Sequence, residues 1–188
     1  MKKSDIYATI TSLLTSGAIS EAKSLISINR NTLSDPEYKE CLGNLHFYSK
    51  ETQEAIPFYE VAMESSPEYD CARYHYLLGV QAERSGQLTN AFRRYQAAIE
   101  IEPEFVDSYI ELGGLLCKVE DFEGAFQCYT DAIGIDPTDF GIRHNFVQVL
   151  SHLSHKDPVT YSQALKDAQA AYALVKGSSD QSGSGHVW

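Results

Sequence analysis

Apolar positions along this chain fall at helical spacing from its first residues onward. Ile6, Ile10, Leu13 and Leu14 lie at i, i+4, i+7 and i+8, one stripe of an amphipathic helix over residues 6–15. Residues 18–29 supply a second helical run, Val106 to Lys118 and Phe122 to Ile135 form a pair split by a turn, and Phe140 to Leu153 makes a further helix. Asp157-Pro158 then sets a capping residue before a proline at the first helical position. The helix it opens is expected to run to about Val175, with Val159, Ala164, Leu165, Ala168, Ala171, Tyr172 and Val175 facing inward. The closing stretch, Gly177 to Trp188, is rich in glycine and serine and reads as a flexible tail. Lys2 and Lys3 ahead of the first stripe have the charge of a secretory leader. Asp5, Thr9, Thr11, Ser12, Thr15 and Ser16 break the apolar run a leader needs, so the helix is the reading taken.

Within this pattern six landmarks recur in order. They are Leu42-Gly43, Ala55, Tyr59, Ala62 and Pro67; Leu78-Gly79, Ala91, Tyr95, Ala98 and Pro103; and Leu112-Gly113, Ala125, Tyr129, Ala132 and Pro137. The internal steps of 12, 4, 3 and 5 residues are identical in all three copies, which are offset by 36 and then 34. Glycine inside a helix costs about 1 kcal/mol relative to alanine. Gly43, Gly79 and Gly113 therefore need a packing reason, and close approach of the second helix of the same hairpin supplies one. Tyr59, Tyr95 and Tyr129 are large enough to wedge between successive hairpins, and each proline ends one helix and sets the start of the next.

The period and the order of leucine-glycine, alanine, aromatic and proline resemble the tetratricopeptide repeat. Departures are local: Lys39, His75 and Tyr109 stand where the family often has tryptophan, and His46, Ala82 and Leu116 where it often has tyrosine. The resemblance implies an all-α, right-handed superhelical solenoid of about five antiparallel hairpins. Residues 3–35 make a degenerate first hairpin, 36–71, 72–105 and 106–139 three full motifs, 140–176 a degenerate last hairpin with its capping helix, and 177–188 the tail. Atypical end repeats suit a solenoid, whose terminal hairpins present a face to water.

Composition narrows what such a chain does. Its 26 acids against 15 bases leave a net charge of −11, which disfavours nucleic acid and anionic lipid as partners. No run reaches the length of a membrane span. Cys41, Cys71, Cys117 and Cys128 have neither zinc-site nor disulfide-framework spacing and read as free thiols of a cytoplasmic protein. There is no phosphate-binding glycine loop, no G-x-S-x-G elbow and no H-E-x-x-H, and five hairpins leave no room for a catalytic domain. No cofactor is expected. His144, His152, His155 and Asp157 suggest a metal site only loosely, and polar residues at a helix end are the preferred account, so no metal is expected either.

Charge is uneven. From Glu100 to Asp139 eleven acids face one base, Lys118, whereas Arg73, Arg84, Arg93 and Arg94 outnumber Glu83 between Ala72 and Ile99. This is either a solvated surface or an acidic face that steers a basic partner. The resemblance implies that the first helix of each hairpin lines a groove for a peptide or partner helix. Aligned by motif, that groove takes Glu40, Cys41, Asn44, Phe47 and Tyr48; Arg73, Tyr76, Leu77, Val80, Glu83 and Arg84; Asp107, Ile110, Glu111, Gly114, Cys117 and Lys118; and His144, Asn145, Gln148 and His152. Relatives that clamp a terminal carboxylate use lysine, asparagine and arginine where this chain has Tyr7, Thr11, Cys41, Arg73 and Leu77, so that activity is not implied. The expected function is a non-catalytic scaffold or adaptor for a basic or amphipathic protein segment. The alternatives are a regulatory or targeting module for a separately encoded glycosyl- or sulfotransferase, and a self-assembling homo-oligomer.

Overall fold

A computed structural model describes residues 3–65 and 70–182. Ten α-helices, and no strand, occur among the described residues. They are α1 (Lys3–Thr15), α2 (Ile19–Ile28), α3 (Asp35–Tyr48), α4 (Thr52–Ser65), α5 (Ala72–Arg84), α6 (Leu88–Ile101), α7 (Val106–Lys118), α8 (Phe122–Ile135), α9 (Phe140–Lys156) and α10 (Pro158–Ser182). Consecutive helices pair as antiparallel hairpins in two compact units, Met1–Glu102 and Pro103–Trp188.

In the first unit the amphipathic stripe of α1 becomes core. Ile6, Ile10 and Leu14 are buried with Ala22 and Ile26 of α2 and with Cys41 and Leu45 of α3. Helix α3 starts at a capping exchange in which the carboxylate of Glu37 accepts from both the backbone N–H and the hydroxyl of Ser34. Its first residue, Asp35, lies one position ahead of the expected division at 35/36.

The landmark residues build the hairpins. Ala55, Ala62, Ala91, Ala98, Ala125 and Ala132 are all fully buried where paired helices meet. A Cβ on Gly43, Gly79 or Gly113 would come within 2.7, 2.5 and 2.8 Å of the ring of Tyr59, Tyr95 and Tyr129 respectively. Each tyrosine thus fills the slot left by the glycine of its own hairpin, instead of acting chiefly as a wedge between hairpins. Tyr59 also reaches Tyr74 of the following hairpin, with ring centroids 6.5 Å apart. Because Ala91 sits in such a contact, Ala91→Leu should overpack it and lower stability by about 1–3 kcal/mol in chemical denaturation.

A further landmark escaped the pattern reading. The turn inside four hairpins holds one residue in the left-handed region: Gly17, Lys50, Gly86 and Glu120, with φ of 80°, 64°, 75° and 63°. Only glycine adopts this conformation without penalty, so Lys50→Gly should gain about 1 kcal/mol, read as a higher denaturation midpoint.

In the second unit Asp121 caps α8 through the N–H of Gly124, and Asp139 caps α9 through that of Ile142. Asp157 takes the N–H of Thr160 at the start of α10, as the Asp-Pro pair predicts. Helix α10 then continues past Val175 to Ser182, so the first residues assigned to the tail are helical. Propagation adds a backbone hydrogen bond for each residue fixed, and no proline interrupts the run. The rest of the expected tail, with Trp188, lies outside the described residues. The inner face of α10 is half-buried as expected, except that Val159 is 96% exposed: at 100° per residue it falls on the side of the helix opposite to Leu165, Ala168 and Tyr172.

Candidate functional site

The groove residues expected from the repeat alignment separate into two chemically different sets. In the first unit the space between the first helices is filled by the protein's own side chains. Tyr7 of α1 donates a 2.6 Å hydrogen bond to Glu40 of α3. Arg73 of α5 donates to the Tyr48 hydroxyl at 3.2 Å, lies 3.7 Å from the Glu102 carboxylate and stands over the rings of Phe47 and Tyr48. Phe47 packs edge-on against Tyr76, which also meets Tyr95.

Two expected groove residues of this unit are structural. Asn44 is buried, and its side-chain oxygen accepts from the Tyr59 hydroxyl at 2.7 Å. Leu77 is buried in the core with Tyr59 and Tyr74. Sequence spacing puts both on the correct helix but cannot tell that Tyr59 reaches Asn44 from within its own hairpin and Leu77 from the preceding one. Val80 is half-buried and Arg84 exposed at the end of α5.

Burial raises the Glu40 carboxyl above the usual range for glutamate, more than the Tyr7 hydrogen bond and the Arg73 charge lower it. A raised folded-state titration means the stabilising contribution is complete at pH values below the unfolded-state titration and disappears as pH rises through the folded one. Ionised Glu40 is therefore a cost at neutral pH. Glu40→Gln keeps an acceptor for Tyr7, and its melting temperature should exceed the parent's at pH 7 by more than at pH 4. Burial also pushes the thiols of Cys41, Cys71 and Cys128 up, to about 12, 11 and 11, which keeps them protonated and poorly nucleophilic near neutrality.

The second unit has an open hollow. Cys117 of α7, Phe122 and Tyr129 of α8, and Asn145, Gln148, Val149 and His152 of α9 enclose about 300 Å³. An adjoining pocket of about 740 Å³ shares Phe122, Gln148 and His152 and extends to Glu120, Ser151, His155 and Lys156. The structure thus brings together Cys117, Asn145, Gln148 and His152, which alignment placed in the groove. His152 stacks on Phe122 with centroids 3.9 Å apart. Asn145 donates to the Tyr129 phenol oxygen, and burial, with smaller contributions from Cys117, Cys128 and Glu111, raises that phenol's titration. Ile110 packs against the core that α8 and α9 build, and Lys118 is exposed at the end of α7. His144 lies elsewhere, against the Tyr172 hydroxyl at 3.2 Å and beside Phe140. Phe122 and Tyr129, from the second helix, were missed because only first helices were assigned to the groove, and Val149 of α9 was missed as well.

Several acids of the Glu100–Asp139 stretch have local duties. Asp121 and Asp139 cap helices, Asp136 holds the Thr138 turn, and Glu123 pairs with Lys156 at 2.9 Å. No group of three or more histidine, cysteine or acidic side chains is arranged to hold a metal ion among the described residues. Among them, too, no helix is long and apolar enough to cross a membrane.

No family model and no curated protein matches the sequence. Solved structures do match over nearly the full chain. A double mutant of MamA RS-1 shares 17% identity, covers 96% of this chain and 97% of its own, and superposes with a TM-score of 0.59. MamA AMB-1 and MamA MSR-1 match at 13% and 14% identity, over 93% and 96% of this chain and 98% of theirs, with TM-scores of 0.56 and 0.52. These neighbours are helical proteins of the tetratricopeptide-repeat type. The chain has the tetratricopeptide-repeat fold. In each of the three full motifs a Cβ on the glycine would come within 2.5 to 2.8 Å of the tyrosine ring, so the sequence landmarks and the fold have one physical origin.

Proposed function

We propose that the chain is a non-catalytic protein-interaction scaffold of the cytoplasm that holds a segment of a partner protein in the hollow between the α7–α8 hairpin and α9. The carrying observation is the convergence there of Cys117, Asn145, Gln148 and His152 around a pocket with an aromatic wall. Ligand-sized concavities with a few placed polar groups are where repeat surfaces gain specificity. The fold shared with MamA supports a scaffold role by analogy.

The test is affinity capture with the full chain and with the variant Gln148→Ala/His152→Ala as baits. Proteins retained by the parent and lost with the variant support the hollow as the site. The exposed Arg84→Ala should retain them. Loss with Arg84→Ala and retention with the double variant would move the site to the first unit.

A further inference from the structure

We infer that the first unit docks an amphipathic α-helix of a partner protein in a trough between α2 and α3, with an acidic side chain of that helix set against Lys23. It is a second site, built wholly by the first unit, and does not depend on the hollow of the second.

Two helix stripes wall the trough. Ile19, Lys23 and Ile26 fall at i, i+4 and i+7 on α2, Tyr38, Leu42 and Leu45 at i, i+4 and i+7 on α3, and all six line a cavity of about 550 Å³. Ile26 and Leu45 are buried, whereas Ile19, Tyr38 and Leu42 are half-buried and present apolar surface to it. Ser20, Ser27 and Ser49 edge it with hydroxyls. An apolar floor inside a polar edge is the anatomy of a protein interface.

Shape decides what kind of segment enters. From Ile19 to Ser27 the α2 wall runs about 12 Å at 1.5 Å per residue, so 550 Å³ spread along it leaves a mean cross-section of about 45 Å². A whole α-helix, about 10–12 Å across, needs about twice that. The trough therefore takes a row of side chains from a helix lying over it. A helix delivers three in that length, at i, i+3 and i+7, and its backbone groups are already bonded to one another. An extended segment turns every second side chain away and lays unpaired N–H and C=O groups on the apolar floor, where they are costly.

Charge then sets the chemistry. Glu51 is held by His46 at 2.7 Å, and Arg30, which stands over the Tyr38 ring, by Asp35 at 2.9 Å. Lys23 is the charged wall residue with no ion pair among the described residues, and Glu21, two positions away, is on another face of α2. Lys23 stands midway along its wall, four residues after Ile19 and three before Ile26. The complementary anion thus belongs beside the middle of the apolar row. A helix places it there with a glutamate next to its central anchor; a fatty acid, whose carboxylate ends the apolar chain, does not. The fitting pattern is large aliphatic residues at i, i+3 and i+7 with an acid at i+4. The direction in which the helix lies along the trough chooses which of its flanks faces α2.

The probe is the fluorescein-labelled helix former Ala-Ala-Gln-Ala-Leu-Ala-Gln-Leu-Glu-Gln-Ala-Leu-Ala-Gln-Ala, read by fluorescence anisotropy against the full-length chain. Binding should weaken at least tenfold when its three leucines become alanine, which keeps the helix propensity, and several fold when its glutamate becomes lysine. Lys23→Glu should reverse that last preference, so that the lysine probe binds the more tightly. Lys166→Glu, an equal charge change at an exposed position of α10, should leave both affinities unchanged. Each variant is checked for the parent's helical spectrum. Should Lys23→Glu lose it, Lys23→Gln decides instead and should bind the two probes equally. No binding of the glutamate probe, or a charge preference that the Lys23 variant does not alter, overturns the inference. Dodecanoate binding that needs Lys23 where the peptide does not bind also overturns it, and makes the trough a lipid site.

Discussion

Tyr95→Ala should lower the stability of the chain by about 3–5 kcal/mol, measured by urea denaturation. The ring is fully buried and sits 2.5 Å from where a Cβ of Gly79 would be, so its removal opens a cavity that fixed helix backbones cannot close. It also removes the hydroxyl that donates to Glu83 at 2.7 Å. Gly79→Ala tests the same contact from the other side. Alanine is the better helix former by about 1 kcal/mol, yet its methyl group collides with the ring, and overpacking of this kind costs about 1–3 kcal/mol. The two substitutions should not add. In the double mutant the new methyl enters the space vacated by the ring, so the combined loss should fall short of the sum by at least about 1 kcal/mol. Additive losses would mean that glycine and tyrosine serve separate purposes and that the repeated pair is not the unit of hairpin packing.

The close approach at Gly79 was legible in the sequence because the glycine repeats at a helical position, but its occupant was not: the tyrosines read as wedges between successive hairpins, and the structure puts each in the slot of its own hairpin. Hairpin bounds follow from the same repetition, and Asp157-Pro158 marks the start of α10 because a cap and a proline act locally. What depends on side chains arriving from other helices was not legible. Asn44 is taken up by Tyr59 of its own hairpin, and Leu77 is buried against Tyr59 of the preceding one. Nor does spacing distinguish a groove filled by Tyr7, Glu40, Arg73 and Tyr48 from one left hollow beside Gln148 and His152. The end of α10 was misplaced for a different reason: glycine and serine lower helix propensity without forbidding a helix that is already propagating. The turns at Lys50 and Glu120 carry no sequence signal, because neither residue type favours the left-handed conformation it adopts there.

Leu150→Ala and Leu174→Ala make the same chemical change on the two helices of the last hairpin, and they should differ by several kcal/mol. Leu150 on α9 is 0% exposed, and truncating a leucine at such a site costs about 2–5 kcal/mol through lost transfer energy and the cavity left behind. Leu174 on α10 is 77% exposed, so little surface is returned to water and alanine suits the helix slightly better; the change should stay within about 0.5 kcal/mol. This comparison also bears on function, because Val159 and Leu174 stand on the outer side of the terminal helix, where a stacking copy would seat. If Leu174→Ala cost as much as Leu150→Ala, and its cost grew with protein concentration, that face would be covered in solution by a second copy. Self-assembly would then displace the partner-binding hollow as the primary role. A small cost that is the same at every concentration leaves α10 as a cap facing water, which is what a terminal repeat with only half-buried contacts to α9 provides.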